Sequence, residues 1–335
     1  MLALASFASG AGAAPSLPLR TLVDVPLDGT TRRFEAQSLD ASSGLLYIAD
    51  SAAGRVVVFD TKRNRVVKFI RDLPSAHGVL AVPQLHRLYV SEPGSSEIAV
   101  VDETTSEVVA RVPGGRSPDA MAWDPVRQKL YVSDVIGQAE TVIDTKHNRR
   151  VAMIPLDGEV GDSQFARGEN LVYVNVKTKP ELVAIDPVLD VVVARYPLVG
   201  CSDNVGLIVD DVNRLAYVAC SGNARLVTFD LRSHRQREVQ ATGPDPVSLG
   251  WDARGSVLYV ACERGAVSMF LLMQGRLRKA AEGVLAEDTR SIGVDGTTHR
   301  LYAALPDVAG KSVIRVMVST VSARQVPRMG RVPRV

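Results

Sequence analysis

The sequence has few cysteines, almost no net charge and no long apolar run. Its 335 residues include three cysteines and carry a formal net charge of +2. That charge is too small to indicate a polyanionic partner, so there is no specific signal for nucleic-acid binding. No apolar run approaches the roughly 18–20 residues that a membrane-spanning helix needs. The sequence therefore predicts neither a membrane span nor a nucleic-acid-binding protein.

Motifs of common enzyme classes are also missing. There is no phosphate-binding loop, nucleophile elbow, Cys-x-x-Cys pair or dinucleotide-binding fingerprint. Apolar residues, by contrast, make up 46% of the chain, and glycine and proline are spread throughout it. This composition is sufficient to build a packed core without a structural metal or many disulfides.

Tyrosines recur at a nearly constant interval. Seven of the eight are separated by 42, 42, 42, 44, 42 and 43 residues, and they are Tyr47, Tyr89, Tyr131, Tyr173, Tyr217, Tyr259 and Tyr302. A period of roughly 40–45 residues with about four short strands per unit is typical of propeller blades. The sequence therefore predicts an all-β, seven-bladed β-propeller with four-stranded antiparallel blades, which occupies residues 19–322 as a single domain.

Each repeat has the pattern of a four-stranded blade. The tyrosine lies in an apolar run such as residues 45–49, and a second run such as residues 58–60 ends on an aspartate thirteen residues after the tyrosine. Runs of β-branched and aromatic residues of this kind predict strands two and three. A run upstream of the tyrosine predicts the innermost strand, and a looser, more polar pattern downstream predicts the outermost one.

Aspartates recur beside these strands. Besides the one that ends strand three, an aspartate stands seven residues before the tyrosine in five repeats, at Asp40, Asp124, Asp210, Asp252 and Asp295. Aspartate side chains accept hydrogen bonds from nearby backbone amides in tight turns. Because the positions repeat, we interpret these carboxylates as turn residues rather than catalytic acids.

Ring closure requires a strand that joins the first and last blades. Residues 21–29 resemble residues 150–158, which end the third repeat. We therefore predict that residues 20–27 supply the outer strand of the last blade, whose other strands come from about residues 291–318. The alternative is that residues 323–329 form this strand.

The two ends of the chain lie outside the predicted propeller. Residues 1–13 are apolar and rich in small residues, and residues 11–13 fit a small-x-small cleavage site, although a positively charged start is missing. We interpret this segment as an export signal, which predicts a periplasmic or extracellular protein; the alternative is a disordered Ala/Gly terminus. Residues 323–335 form a basic tail, with Arg324, Arg328, Arg331 and Arg334.

The three cysteines form an odd set, namely Cys201, Cys220 and Cys262. Cys220 and Cys262 occupy equivalent positions in neighbouring blades, which lie roughly 10 Å apart and therefore too far apart for a disulfide. Cys201 begins the inner strand of the fifth blade and Cys220 ends its antiparallel neighbour, so this pair could meet. Buried free thiols are the interpretation that the sequence favours.

The third repeat carries a family resemblance. Its segments PDAMAWDP (118–125) and LYVSD (130–134) resemble the YVTN-type propeller repeat, and degenerate copies such as YIAD (47–50) and YVSE (89–92) follow the same ladder. The resemblance extends through all seven repeats, although no copy reads Tyr-Val-Thr-Asn. It implies a seven-bladed propeller and the wider family of surface or periplasmic proteins, and it brings no defined catalytic residues.

A second resemblance is to propeller lactonases of the gluconolactonase and regucalcin type. It is carried by NVGL (204–207), Asp210 and LAYV (215–218). This resemblance implies a divalent metal near the axis, with Glu35, Asn204 and Asp245 as the counterparts of its ligands. Glu35 lacks the Gly-Pro that usually follows, and seven blades replace six, so the resemblance does not assign the metal.

Where the repeats carry different residues at equivalent positions near the axis, those positions indicate where a ligand binds. Counting twelve residues back from each tyrosine gives Glu35, His77, Asp119, Val205, Val247 and Arg290, with Ser163 the nearest match in the fourth blade. Beside them lie Asp162, Asn204, Asp245 and Asp288. The sequence therefore predicts a channel mouth that is rich in oxygen ligands and contains one imidazole.

Three interpretations of this mouth stay open. Glu35, His77 and Asp119 could bind a divalent cation, the one candidate cofactor, or His77 could act as a general base. Alternatively, the channel is a solvated polar one in which Glu35 or Asp119 pairs with Arg290 or His77. The function that we favour is an exported, monomeric binding or interaction scaffold for a small ligand, cation or partner protein. The alternative is a metal-assisted lactone hydrolase or lyase.

Overall fold

The computed structural model describes residues 17–27 and 33–321 of the chain. Within these ranges it contains seven four-stranded antiparallel sheets, and two short 3-10 turns at Pro83–Leu85 and Ser221–Asn223 are the helical segments. No helix in the described ranges is long and apolar enough to cross a membrane. The predicted all-β, seven-bladed propeller is confirmed.

The strands are numbered in chain order, and each blade contains four. Blade 1 has β2 (Phe34–Asp40), β3 (Leu45–Asp50), β4 (Arg55–Asp60) and β5 (Arg65–Ile70); blade 2 has β6 (Val79–Val82), β7 (Arg87–Glu92), β8 (Glu97–Asp102) and β9 (Val108–Pro113). Blade 3 has β10 (Pro118–Asp124), β11 (Lys129–Asp134), β12 (Ala139–Asp144) and β13 (Arg149–Pro155); blade 4 has β14 (Val160–Ala166), β15 (Leu171–Val176), β16 (Glu181–Asp186) and β17 (Val191–Pro197). Blade 5 has β18 (Asn204–Asp210), β19 (Leu215–Cys220), β20 (Arg225–Asp230) and β21 (Arg235–Ala241); blade 6 has β22 (Pro246–Asp252), β23 (Val257–Cys262), β24 (Ala266–Met273) and β25 (Arg276–Val284). Blade 7 has β26 (Gly293–Asp295), β27 (Arg300–Val308), β28 (Lys311–Ser319) and β1 (Leu19–Pro26).

The tyrosine ladder lies in the second strand of every blade and is part of the core. All seven ladder tyrosines are at most 1% exposed. Their rings pack with aliphatic residues of the neighbouring sheet, as Tyr173 of blade 4 does with Leu207 of blade 5. A buried aromatic ring removes about 150–250 Å² from water, so the repeated tyrosine supplies much of the apolar surface that holds the blades together.

The recurrent aspartates form the turns that the sequence predicts. Asp124 Oδ1 accepts a hydrogen bond from the Val126 amide at 2.8 Å, and Asp210 does the same for Val212 at 3.1 Å. At the end of strand three, Asp60 Oδ1 accepts from the Lys62 amide at 2.9 Å. These contacts confirm that both sets of carboxylates are turn residues.

The inner strands begin with a bulge that brings neighbouring blades into contact near the axis. In β10, Pro118 pairs with Asp134 and the next paired residue is Met121, so two residues have no partner across the ladder. The amide of Ala36, at the same bulge of blade 1, donates to the His77 carbonyl at 3.2 Å. At Gly78, an added Cβ would lie 2.2 Å from the Asp119 carbonyl oxygen, so a larger residue does not fit. The close approach places His77 beside Asp119.

The N-terminal strand closes the ring, as predicted. Strand β1 pairs antiparallel with β28, with Val25 opposite Ile314. Arg315 holds β1 through two hydrogen bonds to Asp24, at 2.8 and 2.7 Å. The alternative closing strand at 323–329, the export segment at 1–13 and the basic tail at 323–335 lie outside the described residues, and the last two stay predictions.

Loss of the Asp24–Arg315 contact weakens the closure. We expect Asp24→Asn to lower the free energy of unfolding by about 1–3 kcal/mol, because hydrogen bonds between charged groups are worth this amount when partly buried. Chemical denaturation of the variant measures the change. Glu287→Gln is the control, since Glu287 is exposed and has no hydrogen bond or ion pair with a described residue. Equal losses in both variants would contradict the role of this contact.

Cys201 and Cys220 form a disulfide, with their Cα atoms 5.3 Å apart. The interpretation as free thiols is therefore wrong for this pair, and it holds for the buried Cys262. Cys220 lies opposite Asn204 in the β18–β19 ladder, and the segment before β18 brings Cys201 back over that end of the strands. As expected, Cys220 does not pair with its counterpart in blade 6.

Candidate ligand site at the channel mouth

Five charged side chains from five consecutive blades contact one another at the start of the inner strands. We call them the mouth arc, and they are Glu263, Arg290, Glu35, His77 and Asp119, from blades 6, 7, 1, 2 and 3. Three of the predicted site residues, Glu35, His77 and Asp119, are thus brought together, and Arg290 joins them.

Acidic and basic side chains alternate along the arc. Arg290 Nη2 lies 2.6 Å from Glu263 Oε1, and Arg290 Nη1 lies 3.2 Å from Glu35 Oε2. His77 continues the series, with Nε2 at 3.6 Å from Glu35 Oε2 and Nδ1 at 2.7 Å from Asp119 Oδ1. Arg33 also donates to Glu35, which is buried. Glu35 therefore accepts from two arginines and faces an imidazole.

His77 and Asp119 form an ion pair. Burial lowers the pKa of His77, but the hydrogen bond and charge of Asp119, together with the charge of Glu35, outweigh burial and raise it above its usual value. Burial likewise raises the pKa of Asp119, but the hydrogen bond and charge of His77 bring it below the usual value. Both shifts favour the charged forms of the pair, in which the imidazolium donates from Nδ1 to Asp119, and they disfavour a role for His77 as a free general base.

Asp162 extends the acidic end of the arc into blade 4. Its Oδ2 accepts a hydrogen bond from the Leu207 amide at 3.2 Å, and it makes no ion pair within the described residues. Burial, with the nearby negative charge of Asp119, raises the pKa of Asp162 to about 7. The carboxyl is thus only partly ionised at neutral pH, although its place beside the channel favours a cationic partner.

The alignment of blade 4 differs from the prediction. Val160 pairs with Val176 and Ser163 with Val174, and this is the register in which Pro118 and Met121 pair in blade 3. The counterpart of Asp119 is therefore Gly161, and the assignment of Ser163 to this position is wrong. A Cβ on Gly161 would lie 2.7 Å from the Val205 carbonyl oxygen, so the bulge is also tight here.

A buried carboxyl that the sequence analysis missed lies between blades 3 and 4. Glu140 is fully buried, and Ser133 donates to its Oε1 at 2.7 Å, while Oε2 has no partner among the described residues. The Ser163 hydroxyl oxygen lies 3.4 Å from that of Ser133. Burial, with the charges of Asp134 and Asp162, raises the pKa of Glu140 to about 8. The side chain is therefore mostly protonated at neutral pH.

Glu140 occupies a position that is aliphatic in other blades. The second residue of the third strand is Val56 in blade 1, Ile98 in blade 2, Leu182 in blade 4 and Leu226 in blade 5. A carboxyl at such a position lowers stability, because burial penalises its charged form. Aligning the third strands of the repeats would have revealed it.

The other side of the ring is apolar at the same level. Blades 5 and 6 place Val205 and Val247 where the arc has its charged residues. Both valines are partly exposed. The mouth is therefore charged from Glu263 of blade 6 through blades 7, 1, 2 and 3, and aliphatic at the inner-strand positions of blades 5 and 6.

Two of the predicted site residues lie apart from the arc. Asn204 is fully buried, and its Nδ2 donates to the Glu181 carbonyl of blade 4 at 2.9 Å. Asp245 lies 2.9 Å from Arg264 Nε, and its carbonyl accepts from the Glu263 amide. The side chain of Asn204 thus fills the junction of two blades, whereas the side chain of Asp245 pairs with Arg264 and only its backbone carbonyl contacts the arc, at Glu263.

The donor set of the arc does not fit a divalent cation. Metal binding would need lone pairs on Glu35, His77 and Asp119 directed at one point. Instead, each nitrogen of His77 faces a carboxylate and Glu35 accepts from arginines. No group of three or more acidic, histidine or cysteine side chains within 17–27 and 33–321 is arranged to hold a metal ion. We therefore derive no step of chemistry through a metal.

These features define the class of protein: a seven-bladed β-propeller with an asymmetric, charged channel mouth. No family model matches the sequence, and no curated protein matches it. Among solved structures, Kuenenia stuttgartiensis hydrazine synthase has the same fold, with a TM-score of 0.74 and 14% identity over 95% of this chain and 100% of that chain. In all, 1707 solved chains match, so the likeness establishes the fold and not an activity. The resemblances to YVTN-type repeats and to lactonases stay predictions.

Proposed function

We propose that this protein is an exported binding propeller whose channel mouth holds a small ligand with a protonated amine. The observation that carries the proposal is the acidic end of the mouth arc. There, Asp119 and Asp162 lie close enough for the charge of one to raise the pKa of the other, and Asp162 has no ion pair within the described residues.

The charges of the mouth favour a cation at this end. Three basic side chains, Arg33, Arg290 and His77, are in contact with the acids of the arc. Against them stand four carboxylates, on Glu35, Glu263, Asp119 and Asp162. The arginines contact Glu35 and Glu263, and Lys177, whose charge also acts on Asp119 and Asp162, has its ammonium 3.7 Å from Glu159, so Asp162 is the acid left without an ion pair among the described residues. A protonated amine there would donate charge-assisted hydrogen bonds to carboxylate oxygens.

The aliphatic part of the mouth suits the remainder of such a ligand. Val205 and Val247 follow Asp162 around the ring and present partly exposed methyl groups. Ligand sites commonly combine apolar walls with a few polar groups that fix orientation. We therefore expect an amine attached to a small apolar group rather than a fully hydrated polycation.

Export is supported by the disulfide. Bonds such as Cys201–Cys220 persist in oxidising compartments and are rare in the reducing cytosol. Together with the apolar segment at 1–13, this observation favours the periplasm or the exterior. The oligomeric state and any partner protein stay predictions.

The metal-assisted lactone hydrolase or lyase is the competing proposal. It would require four contacts to break before Glu35, His77 and Asp119 could all face one ion. Two are those of Glu35 with Arg33 and Arg290, and two are those of His77 with Glu35 and Asp119. We place the amine-binding function first because it uses the contacts as they stand.

Asp162→Asn tests the function directly. We expect benzylamine to bind the wild-type protein and to bind the variant at least about tenfold more weakly, because a close charge pair contributes at least about 1.4 kcal/mol. Wild-type affinity should rise between pH 6 and 8, since the pKa of Asp162 is raised to about 7 and its charged form is the binding form. Isothermal titration calorimetry with benzylamine, benzyl alcohol and benzoate measures these differences.

Controls separate the two proposals. Asp245→Asn should leave benzylamine affinity unchanged, since Asp245 is paired with Arg264 outside the arc. Benzyl alcohol or benzoate binding as tightly as benzylamine would overturn the amine proposal. A stoichiometric, chelator-sensitive metal in the purified protein, together with lactone hydrolysis lost in His77→Ala, would replace it with the hydrolase.

A further inference from the structure

A second cavity lies on the opposite face of the propeller, between blades 6 and 7. It has a volume of about 460 Å³. It is formed by the turn between β22 and β23, the turn before β27 and the end of β28, with the start of β1 at its side. We call it the basal cleft, and the residues that carry the argument are Arg20, Arg254, His299, Asp252 and Ser319.

The basal cleft is positively charged. Arg20 and Arg254 are exposed in its wall and make no ion pair with a described residue. Asp252 is the one acid among the lining residues of the described chain. Two guanidinium groups without an ion pair therefore line a cavity whose single carboxylate, on Asp252, is bonded to Gly255 and His299.

Asp252 holds His299 across the junction of the two blades. Asp252 is buried, its Oδ1 accepts from the Gly255 amide at 2.8 Å, and its Oδ2 lies 2.6 Å from His299 Nδ1. Because Asp252 occupies Nδ1, the ring of His299 is fixed in orientation and its Nε2 has no partner among the described residues. In the equivalent turn of blade 3, the hydrogen bonds of Asp124 to described residues stay within its own turn.

A cleft between blades 3 and 4 offers a comparison. It has a similar volume of about 480 Å³ and is also lined by basic residues. There, however, three of the basic side chains are paired: Lys129 with Asp190 at 2.7 Å, His147 with Asp144 at 2.6 Å and Arg127 with Asp124 at 2.8 Å. Lys146 is the lining cation that makes no ion pair with a described residue. This second cleft therefore serves as an internal comparison of similar volume in which most of the basic side chains are paired.

We propose that the basal cleft binds an oxyanion of the phosphate or sulfate monoester class, through Arg20, Arg254 and the Nε2 of His299. Guanidinium groups recognise tetrahedral oxyanions through paired hydrogen bonds, and an imidazole whose Nδ1 is held by a buried carboxylate donates from Nε2 as well when the ring is protonated. The site uses neither the mouth arc nor the proposed amine function, so it stands independently of them.

NMR titration tests the site on the intact protein. We expect the His299 ring resonances to shift and saturate as inorganic phosphate is added, while those of His147 do not. The double variant Arg20→Gln with Arg254→Gln should bind phosphate at least about tenfold more weakly, because each charged hydrogen-bonding group contributes more than about 1 kcal/mol. Lys146→Gln, in the cleft between blades 3 and 4, is the matched charge control and should leave the His299 response unchanged.

Parallel titrations identify the anion. Tighter binding of phenyl phosphate than of inorganic phosphate indicates a phosphate ester as the ligand, and tighter binding of phenyl sulfate indicates a sulfate ester. Equal affinity for the free and esterified anions indicates the free ion. A linear, non-saturating response of His299, an equal response of His147, or unchanged affinity in the double arginine variant would overturn the proposal.

Discussion

Glu140→Gln makes the protein more stable at pH 8 and removes a large share of the pH dependence of its unfolding between pH 5 and 8, while Asp162, whose pKa is also raised, continues to contribute. The pKa of Glu140 is raised from a reference value of 4.5 to about 8 by burial and by the charges of Asp134 and Asp162. In this interval the folded state retains a proton that the unfolded state releases. The stability is fully present below the unfolded pKa and is lost as pH rises towards 8.

The size of this effect follows from the shift. Each unit of pKa difference corresponds to about 1.4 kcal/mol, so the folded protein loses on the order of 3–5 kcal/mol between the two pKa values. Glutamine has the same shape and no charge, and its amide can still bond Ser133. Denaturant unfolding of both proteins at pH 5, 7 and 8.5 measures the difference.

The control for this experiment is an exposed glutamate. Glu107→Gln changes the net charge equally, but Glu107 is exposed at the start of an outer strand. We expect it to leave the pH dependence as in the wild type. If the stability curves of the wild type and Glu140→Gln run parallel from pH 5 to 8.5, Glu140 is not the titrating group.

Removing the Cys201–Cys220 disulfide has the second large effect. The bond joins residues 19 apart, and closing a loop of this length restricts the unfolded chain by about 3 kcal/mol. We expect the double variant Cys201→Ser with Cys220→Ser to lose stability by about this amount. The wild-type protein should lose the same amount when a reductant is added, and the double variant should not respond.

Cys262 supplies the control for thiol effects. It is buried, and burial raises the pKa of its thiol to about 12, so little thiolate is available for exchange. Cys262→Ala should therefore retain the full response to reductant. A wild-type protein whose unfolding midpoint is unchanged by reductant would show that the bond contributes nothing to stability.

The fold could be predicted from the sequence because its signal is repeated. The spacing of tyrosines, the apolar run around each and the aspartates at the turns all recur, and each copy supports the others. The same periodicity predicted the contacts of Glu35, His77 and Asp119, since equivalent residues of adjacent blades must lie side by side. The closing strand followed from the likeness of residues 21–29 to the end of the third repeat.

What could not be predicted depends on details that periodicity does not carry. The bulge in each inner strand decides which side chain reaches the axis, so Ser163 was aligned wrongly and Asn204 was expected at the mouth although it is buried between blades. Glu92 and Asp134, at the ends of β7 and β11, are both fully buried and bonded to loop or strand partners, which the spacing of the repeats does not indicate. The path of the segment before β18, which brings Cys201 to Cys220, has no counterpart in the other repeats.

The closure of the ring has a consequence for how the chain folds. Strands β1 and β28 pair residues from opposite ends of the sequence, and the Asp24–Arg315 contact spans 291 positions. Six blades are built from neighbouring segments and can assemble as synthesis proceeds, whereas the seventh must wait until the final strand has been made. A chain that is interrupted late therefore leaves two unpaired strand edges, and aggregation competes with folding at that last step.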